Sequence, residues 1–520
     1  MMRTSDRTAA GDKACFNMVF HCHQPVFNLE QVIEKAYYRA YLPLFRALSG
    51  HESVKATVHL SGGLLEWIEK RHPDLLDLMR DLVARGQVEL LGGGCYEPVM
   101  TLLTETDRAR QIDANSKILR RLFGTKPRGI WISERVWHRS LVDTIADRGI
   151  EYAIVDDHHI LNSGVSEQEV SRPFRITGRK GALTLLPALR KLRYLMPFRS
   201  PEFVAGHLKE RAEKATDGHK CFIFADDGEK FGAWPRTYSR VRKRGWLDPF
   251  FELLESGSIG LETALCSDIV DTKEAVELAD VPASSYPELM GWSNGNFLNF
   301  MDKYPEAGRM RERMLAVSER VRECERTGKA SGKAVRELMK AQTGCAYWHG
   351  TFGGVYLPHM REGVYRHLIE AENILDRDVT GSGNRVEAVE VDKAGGDRRT
   401  RLRNRHVDIF TSASAGGVIY EMDDRIRRLN LLNSMTRVRE KYHNKLEKGY
   451  RRKITEAREA ALRGEYPDIH DILGLAEKGL SGKLYYDDRK RDSFATHIAA
   501  PDTPLDHLVS GGGAVMFRSG

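Results

Sequence analysis

Residues 16–25 read FNMVFHCHQP, an apolar run of five residues followed at once by a pair of histidines. The run from Phe16 to Phe20 is typical of a short strand that is buried on both faces. Similar runs recur before residue 230, at 54–60, 88–93, 129–133, 152–155, 182–187 and 220–225. Amphipathic segments long enough for helices separate most of them. Such alternation predicts a parallel α/β sheet, and about seven β/α units favour a barrel over a smaller open sheet.

The composition is that of a large folded protein. The chain has 520 residues, 41% hydrophobic and 29% charged, which excludes general disorder and predicts one large domain with smaller ones appended. No apolar run approaches the ~18–20 residues of a membrane helix, and the first fourteen residues lack the apolar core of a secretory signal. Seven cysteines without C-x-x-C spacing predict reduced, mostly buried thiols. We therefore expect a cytoplasmic location.

The charge balance gives little indication of a charged partner. The net charge of +7 is small for this length, and neither nucleic acid nor membrane is an expected partner. Residues 437–453 carry eight basic and two acidic side chains, which a solvated helical face explains as well as a binding patch does.

The sequence pattern changes after the last predicted strand. Pro305 opens a predicted helix with an apolar stripe at Met310, Met314, Val317 and Val321. A second helix is predicted near 335–342, and the two indicate a helical bundle. The charged, glycine-containing stretch 376–405 is interpreted as a linker or exposed hairpins, and the partial alternation of 406–423 predicts a β-rich domain.

Polar and aromatic residues follow five of the predicted strands. These clusters are His21–Pro25, Gly94–Pro98, Trp131–Trp137, Asp156–His159 and Asp226–Gly232. The carboxyl ends of parallel strands form the rim where ligands bind, so five clusters at that rim predict a site.

Each cluster taken alone also has a structural explanation. His21 and His23 can ligate a metal, bind sugar hydroxyls or be structural histidines, and the structural role is favoured for an isolated H-x-H. Glu134 can be a salt-bridged glutamate, and Asp226-Asp227 can open a turn. The aromatic string at 347–354 can be core. In combination, two carboxyl groups with tryptophans and histidines indicate glycosidic chemistry, in which the two carboxyls must differ in protonation.

Five ordered motifs carry a family resemblance. They are HCHQP at 21–25, GQVELL at 86–91, WISERV at 131–136, ADDGEKFGAW at 225–234 and AQTGCAYWHGTFGG at 341–354. The chain resembles glycoside hydrolase family 57, in its 4-α-glucanotransferase and α-amylase-like branch. The resemblance implies an incomplete TIM-like barrel of seven β/α units, an adjoining helical bundle and a C-terminal β-sandwich. It implies a catalytic barrel over 1–280, a bundle completing the active site over 281–375, the linker, and a β-rich domain over 406–520.

The resemblance also implies roles for individual residues. Glu134 of WISERV corresponds to the nucleophile, and Asp227 of ADDGEKFGAW to the acid/base of a retaining reaction on α-1,4-glucans, without metal or organic cofactor. The implied substrate-binding residues are His21, His23, Glu89, Trp131, Glu229, Trp234, Trp348 and His349. If a sugar hydroxyl accepts the glucosyl unit, the implied reaction is 4-α-glucanotransfer. If water accepts it, the alternative is amylase-type hydrolysis. The expected partners are the glucan or maltooligosaccharide substrate and a second copy in a homodimer.

Two departures from the family pattern affect these expectations. Cys345 stands where some members carry an acidic residue, so one substrate contact is in doubt. The chain also ends early compared with this branch, so we expect an incomplete sandwich.

Three other functions compete with this interpretation. A metal-dependent deacetylase could use His21 and His23 with the acidic and histidine residues of 156–159. A non-catalytic glucan-binding protein would keep the tryptophans, although retention of Glu134 and Asp227 argues against it. A nucleic-acid binder using 437–453 is the weakest alternative.

Overall fold

A computed structural model gives the structure of most of the chain. It describes residues 14–215, 220–235, 237–329, 331–350, 353–380, 387–392, 398–440, 443, 480–487, 489–495, 498–499, 504 and 514–515. The described residues up to Asn299 form one compact unit, and those from Phe300 form a second. Most of the basic stretch 437–453 and most of the tail at 508–520 lie outside the described residues.

The first unit is built on all seven predicted strands. They are β1 Cys15–Cys22, β2 Ala56–Leu60, β3 Val88–Leu91, β4 Gly129–Trp131, β5 Tyr152–Asp156, β7 Ala182–Ala188 and β8 Cys221–Asp227. Parallel ladders join β8, β1, β2 and β3, and others join β4, β5 and β7. A parallel bridge between Gly92 and Ile130 links the two groups. The ring closes between β7 and β8 where the amide of Leu189 donates to the carbonyl of Ile223 at 2.8 Å, so the incomplete TIM-like barrel is confirmed.

Helices surround these strands. They are α1 Glu30–Ala36, α2 Leu42–Gly50, α3 Gly62–Arg71, α4 Pro73–Ala84, α5 Glu105–Phe123, α6 Ser140–Asp147, α7 Asp157–Leu161, α8 Arg190–Leu195, α9 Pro201–Lys214, α10 Leu247–Glu255, α11 Cys266–Thr272 and α12 Pro287–Trp292. A π-helical turn, Tyr37–Tyr41, joins α1 to α2. No helix among the described residues combines the length and apolar character needed to cross a membrane.

Strand β1 shows why its sequence is buried on both faces. Phe16 and Phe20 belong to the large core formed with the surrounding helices, whereas Cys15 and Val19 belong to a second cluster inside the barrel. Because side chains alternate along a strand, His21 has the same inward orientation as Val19. The first histidine of HCHQP therefore sits inside the barrel at its carboxyl end.

Three short strands were not predicted. They are β6 Phe174–Thr177, β9 Glu262–Thr263 and β10 Val276–Leu278. β6 runs antiparallel to β7, and its residues alternate between buried and exposed. Runs of two to four mixed residues are too short for a periodicity to be recognised.

The second unit begins with helices. α13 Asn299–Lys303 precedes α14 Pro305–Arg326, α15 Gly332–Ala341 and α16 Pro358–Thr380. Helix α14 begins at Pro305 as predicted, and the four residues of its predicted apolar stripe are all fully buried. The helices at 305–326 and 332–341 are confirmed.

An antiparallel sheet follows, formed by β11 Glu387–Asp392, β12 Arg398–Arg403, β13 Val407–Ser412, β14 Val418–Asp424 and β15 Leu429–Asn430. Two residues each of β16 Ile498–Ala499 and β17 Ala514–Val515 pair separately. The β-rich character predicted from residue 406 is therefore present in the described part.

The stretch 376–405, interpreted as a linker or exposed hairpins, contains the end of a helix and an antiparallel strand pair where it is described. Its first five residues are the end of α16, and β11 and β12 form a ladder. Arg403 is buried and pairs with Asp376, and Arg401 pairs with Glu372 at 2.8 Å. Arg401, Arg403 and Asp376 therefore belong to an ion-pair cluster, and the pattern of polar and apolar residues alone does not distinguish such charges from those of a solvated stretch.

Candidate active site

Glu134 lies in a tight turn directly after β4. Its backbone is in the left-handed region, with φ of 51°, and Arg135 follows with φ of 48°. Such a conformation is unfavourable for a non-glycine residue and persists only where the surroundings impose it. Here Ser285 Oγ donates to the Glu134 carbonyl at 2.5 Å, and Tyr286 OH donates to Glu134 Oε2 at 3.0 Å. The first contact fixes the backbone of Glu134 and the second fixes its carboxylate.

The electrostatic environment of Glu134 combines opposing effects. Burial raises the pKa of its carboxyl, whereas the Tyr286 hydrogen bond and the guanidinium groups of Arg135 and Arg193 act to lower that pKa. Tyr286 therefore stabilises the charged form of Glu134 directly.

Asp227 is the last residue of β8 and lies beside His21 in the β1–β8 ladder. Its side chain makes no hydrogen bond or ion pair with any residue that the structure describes. Burial raises its pKa well above the usual value, and the charges of Asp226, Glu229 and Glu134 raise it further. These effects favour the protonated form of Asp227, and one of them is the charge of Glu134.

The neighbouring Asp226 has the opposite character. Burial acts to raise its pKa, but Lys230, Arg193 and Arg135 outweigh burial and keep the pKa below its usual value. Lys230 Nζ donates to Asp226 Oδ2 at 2.5 Å, and Arg193 Nε lies 3.5 Å from the same oxygen. Asp226 is thus a fixed anion beside Asp227.

Glu229 lies two residues after Asp227 and accepts several hydrogen bonds. The backbone amide of His23 donates to its Oε1 at 3.1 Å, Gln24 Nε2 donates at 3.2 Å, and Tyr41 OH also donates to it. Burial raises the pKa of Glu229 to about 7. The HCHQP and ADDGEKFGAW motifs therefore meet at this carboxyl group.

His21 and Trp131 lie against each other. Their rings are 4.5 Å apart and within 10° of parallel, and the guanidinium of Arg135 lies 4.9 Å from the Trp131 ring. Trp131 is only 3% exposed, so its faces are occupied by protein groups. The prediction that Trp131 offers a stacking face to the substrate is at odds with this packing. Trp234 is half-buried and keeps part of its surface accessible.

The structure does not bring Glu89 to the rim. It accepts from Tyr152 OH at 2.6 Å and from the Ser267 amide at 3.0 Å. Glu89 is level with Thr57 in the ladder, two positions towards the amino end of the strand from the layer that holds His59. These contacts put Glu89 at the floor of the barrel beside α11, and its contribution to the glucose subsite stays a prediction that they do not support. The motif spacing placed it on the correct strand but at the opposite end.

Trp348 and His349 belong to the second unit. Trp348 lies 5.8 Å from the Phe300 ring, and the His349 ring meets Tyr356 edge-on at 4.7 Å. Burial lowers the pKa of His349 to about 4. Both side chains are largely buried, and their contribution to substrate binding stays a prediction.

The residues proposed for a deacetylase metal site are not brought together. Asp156 lies 3.4 Å from Arg135 Nε, Asp157 accepts from the Arg190 amide, and His159 Nε2 contacts the Arg135 carbonyl. A different trio, His21, His59 and Glu97, brings donor atoms close enough in distance to hold a cation.

Sequence reasoning missed several residues that contact the predicted site residues. Tyr286, Arg193 and His59 lie outside the five motifs, and only the folded chain shows their contacts. Glu97 stood in a cluster at a strand end but received no role. An ionisable residue after a predicted strand is the one indication that could have singled it out.

A parallel barrel whose rim carries two coupled carboxyl groups is typical of glycoside-processing enzymes. A family model described as "Glycosyl hydrolase family 57" matches residues 17–282. Models described as the middle and C-terminal domains of "Alpha-amylase/4-alpha-glucanotransferase" match 295–375 and 394–515. The chain belongs to glycosyl hydrolase family 57 and is an enzyme.

Relatives in this family carry two activity names. The chain is 34% identical to the 4-alpha-glucanotransferase of Thermococcus litoralis, covering 94% of this chain and 75% of that protein. It is 33% identical to Alpha-amylase 1 of Dictyoglomus thermophilum, covering 95% and 74%. The crystal structure of the T. litoralis 4-alpha-glucanotransferase superposes with a TM-score of 0.81 at 31% identity, covering 96% of this chain and 76% of that one.

Proposed function

We propose that the protein is a retaining 4-α-glucanotransferase that acts on α-1,4-linked glucans by double displacement. The observation that supports this most strongly is the contrast between two coupled carboxyl groups. Burial raises the pKa of both carboxyls, but the Tyr286 hydrogen bond and two arginines oppose that rise at Glu134, whereas three neighbouring carboxylates add to it at Asp227. Retaining chemistry needs one ionised nucleophile and one proton donor.

In the first step, Glu134 Oε attacks C1 of a glucosyl unit while Asp227 protonates the leaving glycosidic oxygen. The products are a glycosyl ester on Glu134 and a shortened glucan, and Asp227 is left ionised. Because Asp226 is held as an anion, it disfavours a second negative charge on Asp227, so it keeps Asp227 protonated before the first step and makes it a stronger base for the second.

In the second step, Asp227 removes a proton from an acceptor hydroxyl, whose oxygen attacks C1 and releases Glu134. A sugar acceptor gives transfer, and water gives the amylase-type hydrolysis named for several relatives. Incubation with maltotriose distinguishes them: longer oligosaccharides together with glucose indicate transfer, and shorter sugars alone indicate hydrolysis.

Substrate binding is proposed for His21, His23, Glu229 and Trp234 in the first unit and for Trp348 and His349 in the second. Glu229 and His21 flank Asp227 along the chain and the ladder respectively, so they are the best placed of these to contact the sugar.

The roles of the pair are tested by Glu134→Gln and Asp227→Asn, which remove the nucleophile and the proton donor without changing side-chain size. Each is expected to lose most maltotriose turnover while keeping the circular dichroism spectrum and melting temperature. Glu69→Gln, which alters an exposed ion pair with Arg121, is the matched control. Near-full turnover in either site variant contradicts the assignment, and binding of glucan without turnover in the unmodified protein indicates the non-catalytic alternative.

We propose the cytoplasm as the compartment. The absence of a disulfide among the seven cysteines, all of which the structure describes, supports this because disulfides are rare there. A homodimer is proposed as the assembly state, and light scattering of the purified protein tests it.

A further inference from the structure

Cys15 and Cys221 are neighbours at the amino end of the barrel. Each is the first residue of its strand, β1 or β8, and the two lie opposite each other in the parallel β1–β8 ladder. Both are free thiols, and their Sγ atoms are 3.5 Å apart. The two sulfur atoms are therefore in direct contact although the residues are far apart in sequence.

The backbone fixes the spacing of the two residues. Adjacent strands lie ~4.7–4.9 Å apart, which is inside the range of about 4.4–6.8 Å between the Cα atoms of a disulfide. The amide of Cys15 donates to the Lys220 carbonyl at 2.9 Å, and the amide of Cys221 donates to the Ser171 carbonyl at 3.0 Å. Both side chains belong to the apolar cluster inside the barrel, so they point to the same side of the sheet. Rotation of the side chains alone can bring the two sulfurs to bonding distance.

Cys266 is the other thiol near this pair, and its contacts hold it elsewhere. Its Sγ lies 3.4 Å from Asn17 Oδ1, and its amide donates to Thr57 Oγ1 at 3.2 Å. Cys266 is fully buried and Cys221 nearly so, whereas 8% of Cys15 stays exposed. A small solute therefore reaches Cys15 first, and the thiol in contact with Cys15 is Cys221.

The two thiols of the pair differ in acidity. The Cys221 thiol and the charge of Lys273 hold the pKa of Cys15 below its ordinary value, although burial opposes them. Contact with Cys15 and burial raise the pKa of Cys221. Because the thiolate is the reactive form of cysteine, Cys15 is the nucleophile and Cys221 the thiol that resolves its product.

We propose that Cys15 and Cys221 are a reversible disulfide site that takes hydrogen peroxide as its oxidant and holds β1 and β8 together. The Cys15 thiolate attacks one peroxide oxygen, the O–O bond breaks, and the leaving hydroxide takes up the proton that Cys15 lost, so Cys15 becomes a sulfenic acid. The Cys221 sulfur then attacks the Cys15 sulfur, and the hydroxyl group leaves as water with the Cys221 proton. In total, two thiols and one peroxide give one disulfide and two waters. Cellular thiols reverse the bond, which agrees with the proposed cytoplasmic compartment, where disulfides are transient.

The bond lies far from the rim and closes a long loop. Cys15 precedes His21 by six positions and Cys221 precedes Asp227 by six, so at ~3.3 Å per residue the sulfurs are roughly 20 Å from the rim. Oxidation is therefore expected to leave kcat/KM for maltotriose unchanged, and the proposal does not rest on the glucan activity. The two cysteines are 206 positions apart, so the cross-link restricts the unfolded chain and makes the oxidised protein harder to unfold.

The bond is detected by peptide mapping without reduction. The folded protein is reduced, freed of reductant, exposed to dilute hydrogen peroxide, alkylated and digested. We expect one peptide pair that joins the Cys15 and Cys221 segments, and dithiothreitol should restore both thiols. A link between Cys15 and Cys266, oxidation of Cys15 to sulfinic acid without a link, or full alkylation of both thiols after peroxide overturns the proposal.

Three serine variants separate the roles of the two thiols. In Cys221→Ser, Cys15 has no resolving thiol and should retain added oxygen, whereas in Cys15→Ser the Cys221 thiol should stay reduced. Cys266→Ser is the matched control from the same cluster and should form the link as the unmodified protein does. Oxidation of Cys221 to the same extent with and without Cys15 overturns the proposal. The map of the unmodified protein needs no variant, so it decides the proposal even where a serine variant does not fold.

The effect on the barrel is measured by thermal unfolding of the oxidised and the reduced protein, followed by circular dichroism. We expect oxidation to raise the melting temperature by about 5 °C or more, and to leave that of Cys15→Ser unchanged. An unmodified protein whose melting temperature does not rise, or an equal rise in Cys15→Ser, overturns the proposal that the bond holds the two strands together.

Discussion

Replacing Tyr286 with phenylalanine removes one hydroxyl group and should shift the pH dependence of the reaction. Tyr286 OH donates to Glu134 Oε2 at 3.0 Å, and this is the sole hydrogen bond that the Glu134 carboxylate makes with the described residues. Hydrogen bonds to charged groups contribute about 1.5–3 kcal/mol. Since one pKa unit corresponds to about 1.4 kcal/mol, the pKa of Glu134 is expected to rise by about one to two units in Tyr286→Phe.

The direction of the change in activity follows from the proposed role. Glu134 must be ionised to attack C1, so its pKa sets the acidic limb of the kcat/KM profile. Tyr286 stabilises the ionised form, and without it the acidic limb moves to higher pH. The profile is measured by maltotriose disproportionation, with glucose release at subsaturating substrate as the rate.

Tyr152→Phe is the matched control. Its hydroxyl also donates to a glutamate, Glu89 Oε1, at 2.6 Å, but at the floor of the barrel. The acidic limb of the control should coincide with that of the unmodified enzyme. An acidic limb in Tyr286→Phe that stays in place, or moves to lower pH, refutes the assignment of Glu134 as the ionised group.

Two further substitutions test neighbouring carboxylates. Glu89→Gln should leave KM for maltotriose unchanged and lower the melting temperature, because Glu89 binds Tyr152 and Ser267; a raised KM in the folded variant would restore it to the glucose subsite. Asp226→Asn removes a charge that raises the pKa of Asp227, so the alkaline limb of the profile should move to lower pH. The same variant leaves Lys230 and Arg193 buried with one anion fewer and should lose about 3–5 kcal/mol of stability in chemical denaturation. An unmoved alkaline limb contradicts the role of Asp227 as proton donor.

The barrel could be predicted because its determinants are local. Each strand is a short apolar run, as in Phe16–Phe20, and each polar cluster follows its strand directly in sequence. Parallel pairing then brings the strand ends together, which is why His21 and Asp227 become ladder neighbours although 206 positions separate them.

The residues that tune the site could not be predicted, because their roles depend on contacts between distant segments. Tyr286 reaches Glu134 from a segment without a motif, and Arg193 pairs with Asp226 from a short helix rich in other basic residues. Trp131 and Glu89 show the opposite case. Their residue types and motifs indicated contact with the substrate, but Trp131 packs against His21 and Glu89 accepts a hydrogen bond from Tyr152. The sequence pattern indicates which strand or helix carries a residue. How far that residue lies from the active-site end of the strand depends on the strand register of the folded protein.

The central claim is that Glu134 forms the covalent bond to the sugar. A 5-fluoroglycosyl fluoride with α configuration slows the second step more than the first, so the glycosyl-enzyme should accumulate and be detected by mass spectrometry of the intact protein. Proteolysis should then place the added mass on the peptide that contains Glu134, with no adduct in Glu134→Gln. An adduct on another carboxylate, or turnover of the fluoride without any covalent species, would contradict the claim.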